Sequence, residues 1–199
     1  MEELTLFGSI RVRVLETAEF ERLVEPLRPD VFKDILRFRA YEALDESEKF
    51  VLEPLFESFG EQWRLNLAIY DEERLIGWSW GRQEAPDRFC MVNSGLIGEY
   101  RGKGIYTALL PLILDRLREK GFQVVSSRHT ATNNAVLIPK LRAGFVITGM
   151  ELSDTFGTLV CLSYFFNPLR RKALDFRSGQ ERLDAELAPL LDLHPQGRV

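Results

Sequence analysis

Cysteine and histidine are scarce in this chain of 199 residues, with two of each. Cys90 and Cys161 lie far apart in apolar surroundings, Phe89-Cys90-Met91 and Val160-Cys161-Leu162. A Cys/His metal site is therefore not expected, and buried thiols suit a reducing compartment. Long apolar runs are absent too: no stretch approaches ~18 uncharged apolar residues, and Met-Glu-Glu-Leu-Thr is not a basic segment leading into an apolar one. The expectation is a cytoplasmic protein with no membrane partner. Nor is there an excess of basic residues, since 26 Lys and Arg against 30 Asp and Glu leave a formal net charge of -4. Such a charge repels a phosphate backbone, so no nucleic acid is expected as partner, and Arg170-Arg171-Lys172 reads as the solvated start of a helix. No repeat, low-complexity tract or linker interrupts the chain. With 45% hydrophobic and 28% charged residues it has the composition of one globular domain.

Apolar periodicity divides the chain into elements. Residues 10–15 alternate as a half-exposed strand does, and Thr17 can cap a helix whose Phe20, Leu23, Val24 and Leu27 share a face. Asp30 is the expected cap of a second helix carrying Val31, Ile35, Leu36 and Phe38, and Phe50, Val51, Leu55, Phe56 and Phe59 mark a third. Residues 64–70 and 74–83 read as strands around Asp71-Glu72-Glu73, and Ala85-Pro86-Asp87 turns the chain into a strand over 89–97. Counting back from that turn sets Trp78 opposite Ser94 and Trp80 opposite Val92. A helix follows from Ile105 to the basic last turn before Gly121, bent at Pro111, then a strand over 124–128, a helix over 134–142 and strands over 146–152 and 159–165. This order describes an α/β chain, mixed over one sheet. In the tail, Leu183, Leu187, Leu190 and Leu191 fall on one helical stripe, suited to its own domain or to a second subunit in a homodimer.

Chemistry concentrates at residues 98–104, Gly-Glu-Tyr-Arg-Gly-Lys-Gly, between an apolar strand and an amphipathic helix. Unpaired amides at a helix N-terminus bind anions, and residues without a Cβ let a phosphate reach them. Arg101 and Lys103 add the positive charge a diphosphate requires. A P-loop needs Ser or Thr after Gly-Lys, but Lys103 is followed by Gly104, and a dinucleotide fingerprint needs a third glycine where Thr107 stands.

What remains resembles the GCN5-related N-acetyltransferase (GNAT) family, whose signature at such a turn is Gln/Arg-x-x-Gly-x-Gly/Ala. Here it reads Arg101-Gly-Lys-Gly104-Ile-Tyr106, with Tyr106 departing at the last position. The family's second landmark is an Asn followed by a helix that ends in Gly-Phe, matched by Asn133 and Gly144-Phe145. The resemblance spans roughly residues 63–166. It implies a central mixed, mostly antiparallel sheet of about seven strands flanked by helices. It also implies an acyltransferase domain over 1–168 with acceptor-side helices at 16–62, and a C-terminal helical extension over 169–199.

The resemblance further implies acetyl-CoA, or another acyl-CoA, as co-substrate, no metal, and a small-molecule or peptide amine as acceptor. In that pattern Gly95 and Leu96 offer backbone groups to the pantetheine, and Arg101, Gly102, Lys103, Gly104, Ile105, Tyr106 and Thr107 form the diphosphate turn. Asn133 bonds the pantetheine arm. The amine attacks the thioester directly while a strand amide near Leu96 polarises the carbonyl. The tyrosine that often protonates the departing thiolate is replaced by Lys140, which can serve as the acid or lie on a solvated helix face. His129, with an ordinary pKa near 6.5, is the candidate base. Trp78, Trp80 and Asn93 are candidates for the acceptor side, with packing under the N-terminal helices the alternative for the tryptophans. The competing readings are a non-catalytic acyl-CoA-binding module of the same fold, and an interaction domain that uses the N-terminal helices and the leucine-striped tail.

Overall fold

A computed structural model of the protein describes residues 3–33 and 38–191. The chain divides into two compact units, Met1–Tyr164 and Phe165–Val199. The first is built on a single sheet: β1 (Glu3–Phe7), β2 (Ile10–Val14), β3 (Arg64–Asp71), β4 (Arg74–Ala85), β5 (Arg88–Leu96), β6 (Val124–Thr130), β7 (Val146–Ser153) and β8 (Gly157–Phe165). Its order is β1-β2-β3-β4-β5-β6-β8-β7. Strands β1 to β5 form an antiparallel meander and β5 pairs with β6 in parallel. Eight strands replace the expected seven because Glu-Leu-Thr-Leu-Phe pairs with β2 through the turn at Gly8, whose φ of 56° suits glycine.

Helices cover both faces. On one, α1 (Thr17–Val24) and α2 (Arg28–Val31) bury Phe20, Val24 and Val31 against Ala68, Tyr70 and Trp78. On the other, Ile113 of α4 (Ile105–Lys120) lies beside Leu65 and Leu67, which alternate with Ala68 along β3. Helix α4 continues past Pro111 without a break and ends, as its sequence suggests, on Gly121 in the left-handed region with φ of 100°. Helix α3 (Glu46–Ser58) and α5 (Asn134–Arg142) complete this unit. The second helix is shorter than its apolar pattern suggests. It starts before Asp30, carries Pro29 in its first turn and stops at Phe32. Ile35 and Leu36 lie outside the described residues, and Phe38 is not helical but donates its N–H to the Thr155 carbonyl at 3.1 Å.

In the second unit, Asn167 caps α6 (Pro168–Arg177) by accepting from the amides of Leu169 and Arg170. The expected stripe of tail leucines does not form. Gly179, with φ of 76°, follows the helix end, and residues beyond it are turns with one short 3-10 segment at Ala188–Leu190. Lys172 pairs there with Asp184 and Glu186.

The register of β4 on β5 departs from the count by one residue where it matters. Arg82 faces Cys90 and Gly81 faces Met91, but Trp80 faces Asn93 and Trp78 faces Gly95. Val92 is therefore an extra residue, a bulge that increases local twist and bends the strand. Gly95, opposite Trp78, leaves room for the ring and for α2, since a Cβ there would stand 2.7 Å from Val31 Cγ1 and 2.9 Å from Trp78. Gly95→Ala should destabilise the protein by about 1–3 kcal/mol through overpacking. An unchanged melting temperature in calorimetry would mean that α2 does not press on β5 as described.

Candidate active site

Parallel pairing of β5 with β6 runs from Arg88–Val124 to Met91–Ser127 and stops there. The Val92 bulge begins at that point, so the two strands separate, and a cleft of about 520 Å³ opens between them. Its lining joins several of the expected residues: Asn93, Tyr106, His129, Asn133 and Lys140. Beside it, α4 begins at Gly104 with no side-chain cap on its first amides and no acidic residue in its first turn. Gly102 and Gly104 have φ of 73° and 79°, and a Cβ on either would meet nothing within 4 Å. Open space in front of uncapped amides suits a diphosphate. Ile105 places its side chain in the core and Thr107 is exposed.

The cations of the turn are unequal. Arg101 is not a free phosphate ligand: its Nε donates to the Leu96 carbonyl at 2.9 Å and its Nη2 to the Val31 carbonyl at 2.6 Å. It straps the turn to α2. Glu99 is paired with Arg74 at 2.6 Å, while Lys103 rests over the Tyr100 ring at 4.9 Å and stays exposed to an anion. Tyr106 stands where the family pattern has a small residue, hydrogen-bonded to Ser94, and burial pushes its pKa up. It stays a neutral phenol. The Asn133 side chain caps nothing and faces the cleft.

Lys140 is not a solvated helix residue. It is fully buried, with Nζ 3.4 Å from Met91 Sδ and 4.8 Å from the centre of the Phe145 ring, and no carboxylate pairs with it among the described residues. Burial lowers its pKa to about 7. His129 is likewise enclosed, with no hydrogen-bond partner on Nε2 among the described residues. Burial, and then the charge of Lys140, push its pKa down to about 3. The imidazole is therefore neutral near pH 7, which weighs against its acting as the general base.

The tryptophans are also reassigned. Trp78 is fully buried, in edge contact with Phe32 at 5.6 Å, and donates from Nε1 to Asn93 Oδ1 at 2.8 Å. Trp80 packs against the same core under the Arg64 guanidinium at 4.6 Å. Neither lines the cleft, because the N-terminal helices cover both, through Phe20, Val24, Val31 and Phe32. The cleft lining not read from the sequence includes Phe32, Arg82, Glu84, Arg128 and Glu151. Alternation of Arg82 with Glu84 along β4 was the only available signal, and it looks like an ordinary solvated face.

The acetyltransferase (GNAT) family model matches residues 29–145. The chain belongs to the GNAT family. No curated protein sequence matches it significantly. Similar solved structures include yncA of Salmonella typhimurium with its cofactor acetyl-CoA, 14% identical with a TM-score of 0.58, over 80% of this chain and 95% of that one. The ribosomal-protein-S18-alanine N-acetyltransferase of Escherichia coli is 18% identical, with a TM-score of 0.54 over 79% of this chain and 94% of its own. Spermidine N-acetyltransferase of Vibrio cholerae is 16% identical, with a TM-score of 0.57 over 79% and 94%. At these identities the likeness is one of fold. Among the described residues no helix is long and apolar enough to cross a membrane, and no group of His, Cys, Asp and Glu is gathered to hold a metal ion.

Two measurements check this geometry. Gly104→Val should weaken acetyl-CoA binding at least about tenfold, or ~1.4 kcal/mol, and equal calorimetric affinity would place the diphosphate elsewhere. For Lys140, the folded pKa of about 7 lies below the unfolded value, so the unfolded chain binds more protons between about pH 7 and 10. Its burial penalty is then full below pH 7 and fades as pH rises. Lys140→Met should raise the melting temperature at pH 6 by ~5 °C or more, with the gain shrinking toward pH 10. A constant or absent gain would contradict an uncompensated buried ammonium.

Proposed function

We propose that this cleft transfers an acetyl group from acetyl-CoA to a primary amine of a small molecule or peptide by direct attack on the thioester. The observation that carries the reading is Lys140. It is a buried, uncompensated amine in the cleft that also holds Asn133, beside an uncapped helix start. A protein tolerates such a group at a cost to stability, which favours a role in turnover.

The amides of residues 102–107, with Lys103, are positioned to hold the diphosphate, and the edge of β5 freed beyond Met91 offers backbone groups to the pantetheine, with Asn133 opposite. A strand amide near Leu96 is placed to bond the thioester carbonyl as negative charge develops there. Lys140 gives its proton to sulfur as the carbon–sulfur bond breaks and the carbon–nitrogen bond forms. A pKa of about 7 suits it to do so near neutrality. The acceptor ammonium loses one proton to water before it attacks, His129 orients the amine by accepting a hydrogen bond, and the second proton lost from nitrogen as the amide forms returns through water to Lys140.

A screen of primary amines for release of free CoA thiol tests this. Wild-type protein should turn over at least one acceptor, with kcat falling as pH rises through about 7. Lys140→Met should lower kcat by ~10² and abolish that alkaline fall while acetyl-CoA affinity is kept. Tight acetyl-CoA binding with no thiol release from any amine would instead support the non-catalytic module.

A further inference from the structure

Charges in the acceptor side of the cleft are compensated unevenly. Arg128 of β6 donates from Nη1 to Glu84 Oε1 at 3.0 Å and from Nε to Glu151 Oε2 at 2.9 Å. The second oxygen of Glu84 accepts from Ser126 Oγ at 2.8 Å. Both Glu84 oxygens are therefore engaged, and the hydrogen bond from Ser126 and the Arg128 guanidinium hold its pKa down against the effect of burial. Two carboxylates thus share one guanidinium, and the charge of Arg88 on β5 also acts on Glu84.

Arg82 lies two residues before Glu84 on β4 and lines the same cleft from an exposed position. Glu84 is turned away from it toward β6. Among the described residues Arg82 has no ion pair or side-chain hydrogen bond, and it lines the cleft together with Arg128, which is paired. The cleft therefore presents a free planar guanidinium on its β4 side and, toward β6 and β7, the two carboxylates of Glu84 and Glu151 that share Arg128, with Lys140 as the other cation of the lining. A guanidinium fork matches a carboxylate in two parallel hydrogen bonds. An amine arrives as an ammonium, which the opposite side attracts.

The geometry points to an acceptor that is itself a zwitterion: an amino acid, or an amine of like build, whose carboxylate binds Arg82 while its amine faces the Glu84–Arg128–Glu151 side. A diamine or polyamine would meet repulsion at Arg82, and a plain apolar amine would leave that group idle. This rests on the acetyl-transfer reading above and names the acceptor class for that site.

The test compares amino acids with the amines left when their carboxylate is removed: lysine with cadaverine, and phenylalanine with phenethylamine. Release of CoA thiol from acetyl-CoA is followed with wild type and Arg82→Gln, and calorimetry reports acetyl-CoA affinity separately. Wild type should favour the carboxylate-bearing member of at least one pair by tenfold or more in kcat/KM. Arg82→Gln should bring that pair to within about threefold, mainly through KM, with Arg82→Lys intermediate. Equal use of both members, preference for the decarboxylated one, a preference that survives Arg82→Gln, or no turnover of either pair despite normal acetyl-CoA binding would overturn the acceptor class and leave the cofactor site standing. Failure to bind acetyl-CoA would overturn the reading beneath it.

Discussion

The end of hydrogen bonding between β5 and β6 after Met91 and Ser127 is the constraint on which the site depends. Upstream, the two strands pair in parallel, and Phe89 and Val125 lie in the core. Downstream, the Val92 bulge bends β5 while it stays paired with β4 as far as Leu96. Backbone groups on the β6 side of that segment are left for something other than a strand. An open seam inside a sheet carries the unsatisfied groups of two edges, and a protein keeps it only where a ligand or water completes the bonding.

Around that seam the fold holds groups in unfavourable electrical states. Lys140 sits among Met91 and Phe145 with no counter-charge among the described residues, and His129 is a neutral imidazole with an unpartnered nitrogen. Arg101, the first residue of the turn signature, is spent on the carbonyls of Leu96 and Val31. Phe32, next to Val31, lines the cleft. One side chain thus ties the glycine-rich turn to α2.

Much of this was legible in sequence, in a way that follows from its physics. The meander, the α4 cap at Gly121 and the turn at residues 98–104 depend on local periodicity and glycine conformation, which one sequence displays. The family and the fold could be read from Arg101-Gly-Lys-Gly104 and Asn133 with Gly144-Phe145. The register beyond Val92 could not, since a bulge adds a residue without changing the alternation on either side of it. Trp78 and Trp80 lie in the core because the N-terminal helices cover them, the alternative their sequence left open. Burial of Lys140 and the fate of Arg101 were also hidden, because both depend on residues far away in sequence, Met91 for one and Val31 for the other. The broken tail shows Gly179, in the left-handed region, overriding apolar spacing.

Hydrogen–deuterium exchange with and without acetyl-CoA would locate the cofactor on the backbone itself. Slowed exchange is expected at the amides of residues 92–96, on the open edge of β5, and 102–107, at the start of α4, with little change in the β1–β2 hairpin. Protection confined to other segments, or none at ligand concentrations that saturate binding, would contradict that placement.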